Sequence, residues 1–181
     1  NSILFFVLNS IFALGSFSYS FLLLFANKFG FEIIFIPVLY LIYTAVASIV
    51  SLPFGKLADK IGRKNVMFIS FVCWALVCLS FLLLQEYVAI IITFVLYGLH
   101  KGALEPVQKT LVSELAPAEY RASFLGTFQM VIGLCALPSS LIAGLLWDKI
   151  GVFTSFYFSL GLTIVAILLL IFVKEIKYAK K

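Results

Sequence analysis

The sequence predicts an all-α membrane protein with six transmembrane helices, arranged as two inverted three-helix repeats. Hydrophobic residues make up 64% of the chain and charged residues only 12%, a composition outside the range of soluble domains. Six apolar runs are each long enough to cross a hydrocarbon core of about 30 Å as a helix. In addition, one eight-residue segment recurs at equivalent positions in the two halves of the chain.

The six predicted spans follow one another with short connections. We expect helices, because backbone groups in a bilayer must be satisfied within their own segment and the sequence lacks the alternating strands of a barrel. The spans are residues 3–26, 33–54, 66–84, 87–110, 123–147 and 153–173. Asn1 is not followed by a basic segment and a cleavage site, so we expect a fragment of a longer chain rather than a signal peptide.

The basic residues predict the orientation of the spans. If the spans alternate in direction, all but Lys28 and Lys149 of the thirteen Lys and Arg residues fall on one side. Such residues concentrate in cytoplasmic segments, so we expect a multi-pass protein of the cell membrane with both termini in the cytoplasm. The net charge of +5 is then a topology signal, and nucleic acid is not an expected partner. The residues on this side are Lys56, Lys60, Arg63, Lys64, Lys101, Lys109, Arg121, Lys174, Lys177, Lys180 and Lys181.

The recurring segment predicts an internal duplication. Residues 55–62, GKLADKIG, and residues 144–151, GLLWDKIG, agree at six of eight positions, and the offset of 89 residues maps the second span onto the fifth. Units 1–86 and 87–173 would then hold three spans each, and residues 174–181 would form a cytoplasmic tail. An odd number of spans places the two copies on opposite membrane faces, as in many secondary transporters.

The reactive side chains predict neither an enzyme nor a metal site. His100 is the single histidine, and no cysteine pair has the spacing of zinc ligands. The sequence also contains no phosphate-binding glycine loop, nucleophile elbow or paired catalytic motif. We therefore expect no catalytic residue, no cofactor and no metal.

Two segments resemble the major facilitator superfamily. Residues 55–64, GKLADKIGRK, resemble its signature loop, G-x-L-a-D-r-x-G-R-R/K, which joins the second and third helices of each six-helix half. Residues 114–126, ELAPAEYRASFLG, look like the loop between its tenth and eleventh helices. The resemblance implies half of a major facilitator fold, namely the C-terminal half of a twelve-helix transporter. The matching positions of the first segment are Gly55, Leu57, Ala58, Asp59, Gly62, Arg63 and Lys64.

The signature segment is predicted to form part of a gate. The two glycines are expected to shape a tight turn where a helix ends, and Arg63 can pair with a carboxylate on the same side. The resemblance implies that such contacts latch the cytoplasmic side in the outward-facing state, and that Asp59 faces the missing half. The alternative is that the segment only anchors at lipid headgroups. The predicted gate residues are Gly55, Asp59, Gly62, Arg63, Lys64, Glu105, Glu114 and Arg121, with Glu119 as a further partner for Arg63.

The fourth span carries the ionisable residues of a predicted transport path. Tyr97, Lys101 and Glu105 recur every four residues and so share one face of a helix. Charges at this depth are costly and normally face a cavity or a partner; the resemblance implies that the first and fourth helices of each half line the central cavity. Alternatively, Lys101 snorkels to the interface. The predicted solute or proton contacts are Asn9, Tyr43, Tyr97, His100, Lys101 and Gln129.

Together these observations predict secondary active transport of a small solute by alternating access. We expect the C-terminal half of a proton-coupled efflux-type permease, because an aromatic-rich lining suits amphipathic compounds; sugars and organic anions remain open as solutes. The expected partners are the solute, the lipid bilayer, and either the missing N-terminal half or a second copy of the chain. Two other functions stay open: a six-helix protein that homodimerises, and a non-transporting receptor or scaffold with the same fold.

Overall fold

The computed structural model describes residues 2–173, and these form an all-α bundle without strands. Six helical units in this part of the chain are long and apolar enough to span a membrane, which confirms the predicted fold class. Short 3-10 turns over Ile33–Phe35 and Ala118–Tyr120 precede two of the helices. The predicted basic tail, residues 174–181, lies outside the described residues. The helices are α1 (Ser2–Gly15), α2 (Tyr19–Lys28), α3 (Ile36–Ile61), α4 (Arg63–Leu83), α5 (Tyr87–Leu115), α6 (Arg121–Lys149) and α7 (Thr154–Phe172).

The first span is two helices, and the prediction of one continuous helix is wrong. The backbone N–H of Ser16 donates to the Phe12 carbonyl at 2.7 Å as α1 ends, and the Ser18 hydroxyl accepts from the Ser20 backbone N–H at 3.4 Å as α2 begins. Serine side chains compete for backbone hydrogen bonds in this way and favour helix N-caps. Hydropathy does not detect the break, because Phe17 keeps the run apolar.

The signature segment is helical except at Gly62, so the expectation of a loop is wrong. Helix α3 continues through Lys56 and Lys60 to Ile61, and α4 begins at Arg63. Gly62 has φ of 97°, a region that favours glycine, and it alone makes the turn. Gly55 lies inside α3 and shapes no turn, which corrects its predicted role. Lys56 and Lys60 lie outside the apolar run, but lysine is a good helix former, so α3 extends beyond the end of the predicted span.

Aromatic side chains fill the centre of the bundle. Phe12 on α1 stacks on Phe71 of α4 with ring centroids 4.1 Å apart. The indole N–H of Trp74 donates to the Ser159 hydroxyl at 2.9 Å and so joins α4 to α7. Because each such ring buries a large apolar area, these contacts hold the helices in fixed rotations about their axes.

Helices α3 and α5 approach closely through two glycines. A Cβ atom on Gly98 would lie 2.7 Å from the Tyr43 carbonyl oxygen, and one on Gly102 would lie 2.7 Å from the Ala47 carbonyl oxygen. Small residues four apart commonly allow such close packing of membrane helices. α5 runs on past Pro106 to Leu115, so this proline does not end the helix.

Candidate functional site

A cavity of about 690 Å³ lies between the α1–α2 break and helices α3, α5 and α6. Its volume falls within the range of small-molecule sites. Most of the polar groups that line it are serine hydroxyls and the phenol rings of tyrosines. The serines are Ser16, Ser18, Ser48, Ser51 and Ser140, and the tyrosines are Tyr19, Tyr43 and Tyr97.

Helix α5 supplies the charged groups of the cavity. Tyr97, Lys101 and Glu105 all line it, because residues four apart in a helix lie on one face. Lys101 is the middle residue of α5, which spans Tyr87–Leu115. The structure therefore places this lysine well inside the predicted membrane span rather than at its end.

The ammonium group of Lys101 leans toward the N-terminal side of α5. Its Nζ atom lies 5.8 Å from the centroid of the Tyr97 ring, a cation–π contact. Within residues 2–173, no carboxylate oxygen lies within 4 Å of this atom. Glu105, one turn further along α5, is exposed. The two charged residues thus lie one turn apart in the same cavity lining and form no ion pair within 4 Å.

Four tyrosines from three helices form one cluster beside Lys101. Tyr43 of α3 lies between Tyr97 and Tyr19, with ring-centroid distances of 5.0 and 5.8 Å. Tyr40 lies 5.1 Å from Tyr43 and 5.5 Å from Tyr19. Edge-to-face contacts of this kind hold aromatic rings in place, so the cluster gives the cavity a rigid aromatic wall.

Three residues predicted to lie on the transport path lie elsewhere. Asn9 is buried between α1 and α5, where it donates to the Phe5 carbonyl at 2.7 Å and accepts from Gln108 at 2.6 Å. His100 is 1% exposed, and its Nδ1 atom lies 2.9 Å from the Ser70 hydroxyl. Gln129 is exposed on α6 and is absent from the cavity lining. None of the three lines the cavity of the described residues, so the structure does not bring them together with Tyr43, Tyr97 and Lys101.

Three of the predicted gate residues meet at one end of the bundle, where α3, α4 and α5 come together: Arg63, Asp59 and Glu114. An Nη2 atom of Arg63 lies 2.9 Å from Glu114 Oε1 and 3.3 Å from Asp59 Oδ1. Glu105 instead lines the cavity, so it is not placed as a gate partner of Arg63. Arg121 lines a smaller cavity of about 390 Å³ together with Glu114.

Lys64 makes a contact that the sequence did not predict. Its Nζ atom donates to the carbonyl oxygens of Ile171 and Val173 at 2.6 and 2.9 Å. A cation at a helix C-terminus satisfies carbonyls that have no partner inside the helix. The Arg63–Lys64 pair therefore joins the α3–α4 junction to the ends of both α5 and α7.

Several cavity residues were missed by sequence reasoning. The α1–α2 break brings Ser16, Ser18 and Tyr19 to the cavity, and no local pattern revealed that break. On α3, by contrast, Ser48 follows Thr44 by four residues and both line the cavity. This helical spacing of hydroxyl groups was the available signal.

The chain matches the family model described as Major Facilitator Superfamily over residues 4–181. It is 40% identical over 176 residues, 94% of this chain and 44% of the relative, to an uncharacterized MFS-type transporter of Methanocaldococcus jannaschii.

Two further relatives carry functional names. Multidrug resistance protein 3 of Bacillus subtilis is 29% identical over 62% of this chain and 22% of that protein. The cis,cis-muconate transport protein of Acinetobacter baylyi is 27% identical over 67% of this chain and 29% of that protein. The matched region thus spans less than half the length of each of these three relatives.

Proposed function

Because the chain belongs to the major facilitator superfamily, we propose that it forms half of a secondary active transporter. In this proposal a small solute binds in the 690 Å³ cavity and reaches the two sides of the membrane by alternating access. The observation that carries the proposal is the position of Lys101. A charge near the centre of a membrane helix costs about 2.5 to 3.5 kcal/mol on insertion scales, and such residues normally serve a solute or ion pathway.

The exposed faces of α3 and α6 support a second bundle as the partner. Both helices line the cavity, and both also carry large apolar side chains that are exposed in the described part of the chain. We propose that the other half of a longer protein covers these faces and completes the cavity wall; a second copy of this chain is the alternative. The exposed residues include Leu41, Ile49 and Leu52 on α3 and Leu134, Leu137 and Leu141 on α6.

We further propose that transport is coupled to protons and directed outward across the cell membrane. Glu105 is the carboxylate of the described cavity lining and is exposed to it, so it is the group we assign to proton exchange. The name of the Bacillus relative supports export. The excess of basic residues at the end of the bundle that holds Arg63 and Lys64 supports a cytoplasmic position for that end.

The test uses the full-length protein reconstituted in proteoliposomes with an imposed pH gradient. A panel of labelled neutral, anionic and cationic small solutes is offered, and their accumulation is measured with and without a protonophore. We expect at least one solute to accumulate in a manner that the protonophore abolishes. Correctly inserted protein that moves none of the panel would favour the receptor or scaffold alternative.

A further inference from the structure

We propose that the cavity binds an organic anion, with the anionic group held between the Lys101 ammonium group and the N-terminal end of α2. This inference rests on the proposed transport function and names its solute class. It is carried by two positive groups in the lining of one cavity, the Lys101 ammonium group and the start of α2.

Lys101 provides a charge that forms no ion pair in the described part of the protein. Its nearest identified contact is the Tyr97 ring, at 5.8 Å, and within residues 2–173 no carboxylate lies within ion-pair distance. A partly buried ammonium group has lost much of its hydration, so an anionic ligand gains more from it than from an exposed lysine. The cavity beside Lys101 is where such a ligand fits.

The broken first span adds a second positive group to the lining of the same cavity. Ser16, Phe17, Ser18 and Tyr19 all line the cavity, so the ten-residue helix α2 starts at its surface. A helix N-terminus carries about half a positive charge and backbone N–H groups that have no partner inside the helix. Discontinuous helices in transporters direct such ends at anionic groups of the solute.

Glu105 lines the cavity one turn from Lys101 and forms no ion pair with it within 4 Å. Its side chain is exposed, whereas Lys101 is partly buried. Water around an exposed carboxylate weakens its interaction with other charges. Lys101 is therefore the less solvated of the two charges in the cavity lining.

The rest of the wall indicates the body of the anion. The tyrosine rings line the cavity together with Ile132 and Ala136 of α6. The α3 hydroxyls of Thr44, Ser48 and Ser51 already donate to backbone carbonyls. The rings and apolar side chains therefore offer contact area to an aromatic or aliphatic body. A monocarboxylate with an apolar body fits both the charge and the lining.

The test measures binding of matched probes to the full-length protein in detergent by calorimetry. One set is benzoate, benzamide and benzylamine; the second is hexanoate, hexanamide and hexylamine. We expect the acid of at least one set to bind about tenfold more tightly than its amide and its amine, since a charged hydrogen bond is worth that much. Equal binding within both sets, or no binding of either acid, would overturn the inference.

Variants of two lysines on α5 test whether the preference for the acid arises in the cavity. Lys101→Met is expected to lower acid affinity to that of the amide, while Lys101→Arg keeps the preference. Lys109→Met is the matched control, because Lys109 is exposed on the same helix and does not line the cavity. An acid preference that survives in a folded Lys101→Met variant contradicts the inference. If that variant does not fold, loss of the preference in Lys101→Arg contradicts it.

The same variants separate this inference from the proposed function. Lys101-dependent binding of the acids without movement of any solute in proteoliposomes would support the anion site and contradict transport. Transport of neutral or cationic solutes at an unchanged rate in Lys101→Met would support transport and overturn the anion site. Lys101-dependent transport of the acids supports both.

Discussion

At the scale of single residues, Arg63 forms ion pairs with carboxylates of this same six-helix unit. Its guanidinium group contacts Glu114 at the end of α5 and Asp59 at the end of α3, so both carboxylates belong to the same bundle. The Glu114 contact therefore holds two helices of one half together. Asp59, which is 69% exposed, is the residue of this cluster that is available to a second bundle.

The contact between Arg63 and Glu114 can be measured by a double-mutant cycle. We expect Arg63→Met and Glu114→Gln to lower the free energy of unfolding in detergent, and the double variant to cost less than their sum by about 1 kcal/mol. Lys60→Met with Glu119→Gln provides a control pair of exposed residues with no contact between them among the described ion pairs. Additive effects of the two substitutions would contradict the contact.

Asp59 should affect transport more than stability. We expect full-length Asp59→Asn to insert and unfold like the wild type, because its side chain is 69% exposed and an exposed ion pair contributes little to stability. Its solute flux in proteoliposomes should fall at least about fivefold, the size of a typical coupling energy between two conformations. Glu119→Gln, another exposed carboxylate, serves as the control. Wild-type flux in Asp59→Asn would remove Asp59 from the gate.

At the scale of helices, the close packing of α3 on α5 determines which side chains reach the cavity. The glycines of α5 bring its backbone against α3, and Tyr97 and Lys101 are thereby directed into the space beside Tyr43. A change at this helix pair should therefore disturb both stability and the cavity. A change on a helix face without neighbours should disturb neither.

Gly102→Ala tests this packing. Its Cβ atom would meet the Ala47 carbonyl oxygen at 2.7 Å, and overpacking of this kind costs about 1 to 3 kcal/mol. Gly161→Ala on α7 is the matched control, because nothing lies within 4 Å of its Cβ atom and alanine favours a helix. We expect a lower unfolding temperature for Gly102→Ala, and an unchanged or slightly higher one for Gly161→Ala. Equal shifts of the unfolding temperature in the two variants would contradict the close packing of α3 on α5.

The sequence predicted the helices better than their ends and interruptions. Apolarity over about 20 residues determines whether a segment crosses a membrane, and this local property identified all six spans. The charges on α3 at Lys56 and Lys60 ended the apolar run but not the helix. The break at Ser18 depends on one side-chain contact, so an average over 20 residues does not detect it.

The candidate site was predictable only where local spacing decides the outcome. The four-residue repeat on α5 placed Tyr97, Lys101 and Glu105 on one face, and the structure has all three in the cavity lining. Asn9 and Gln129 are polar as well, but neither lines the cavity, because the rotation of each helix about its axis decides which face does. That rotation depends on contacts far apart in sequence, as does the contact of Lys64 with Ile171.

At the scale of the whole molecule, the chain is one half of a major facilitator fold. The cavity is formed by helices that are also exposed on their outer faces, and the relatives extend well beyond the matched region. The central claim is that this cavity opens to each side of the membrane in turn. The inverted repeat and the cytoplasmic position of the termini remain predictions of the sequence.

The most direct measurement is the accessibility of the cavity from each side. In full-length protein without native cysteines, Ser48→Cys and Ala136→Cys are exposed to a membrane-impermeant maleimide in right-side-out and inside-out vesicles. Both positions line the cavity, whereas Leu168→Cys on the exposed apolar face of α7 provides the control. Alternating access predicts labelling of the two cavity positions in both kinds of vesicle and none of the control. Labelling from one side only, under both directions of an imposed pH gradient, would contradict it.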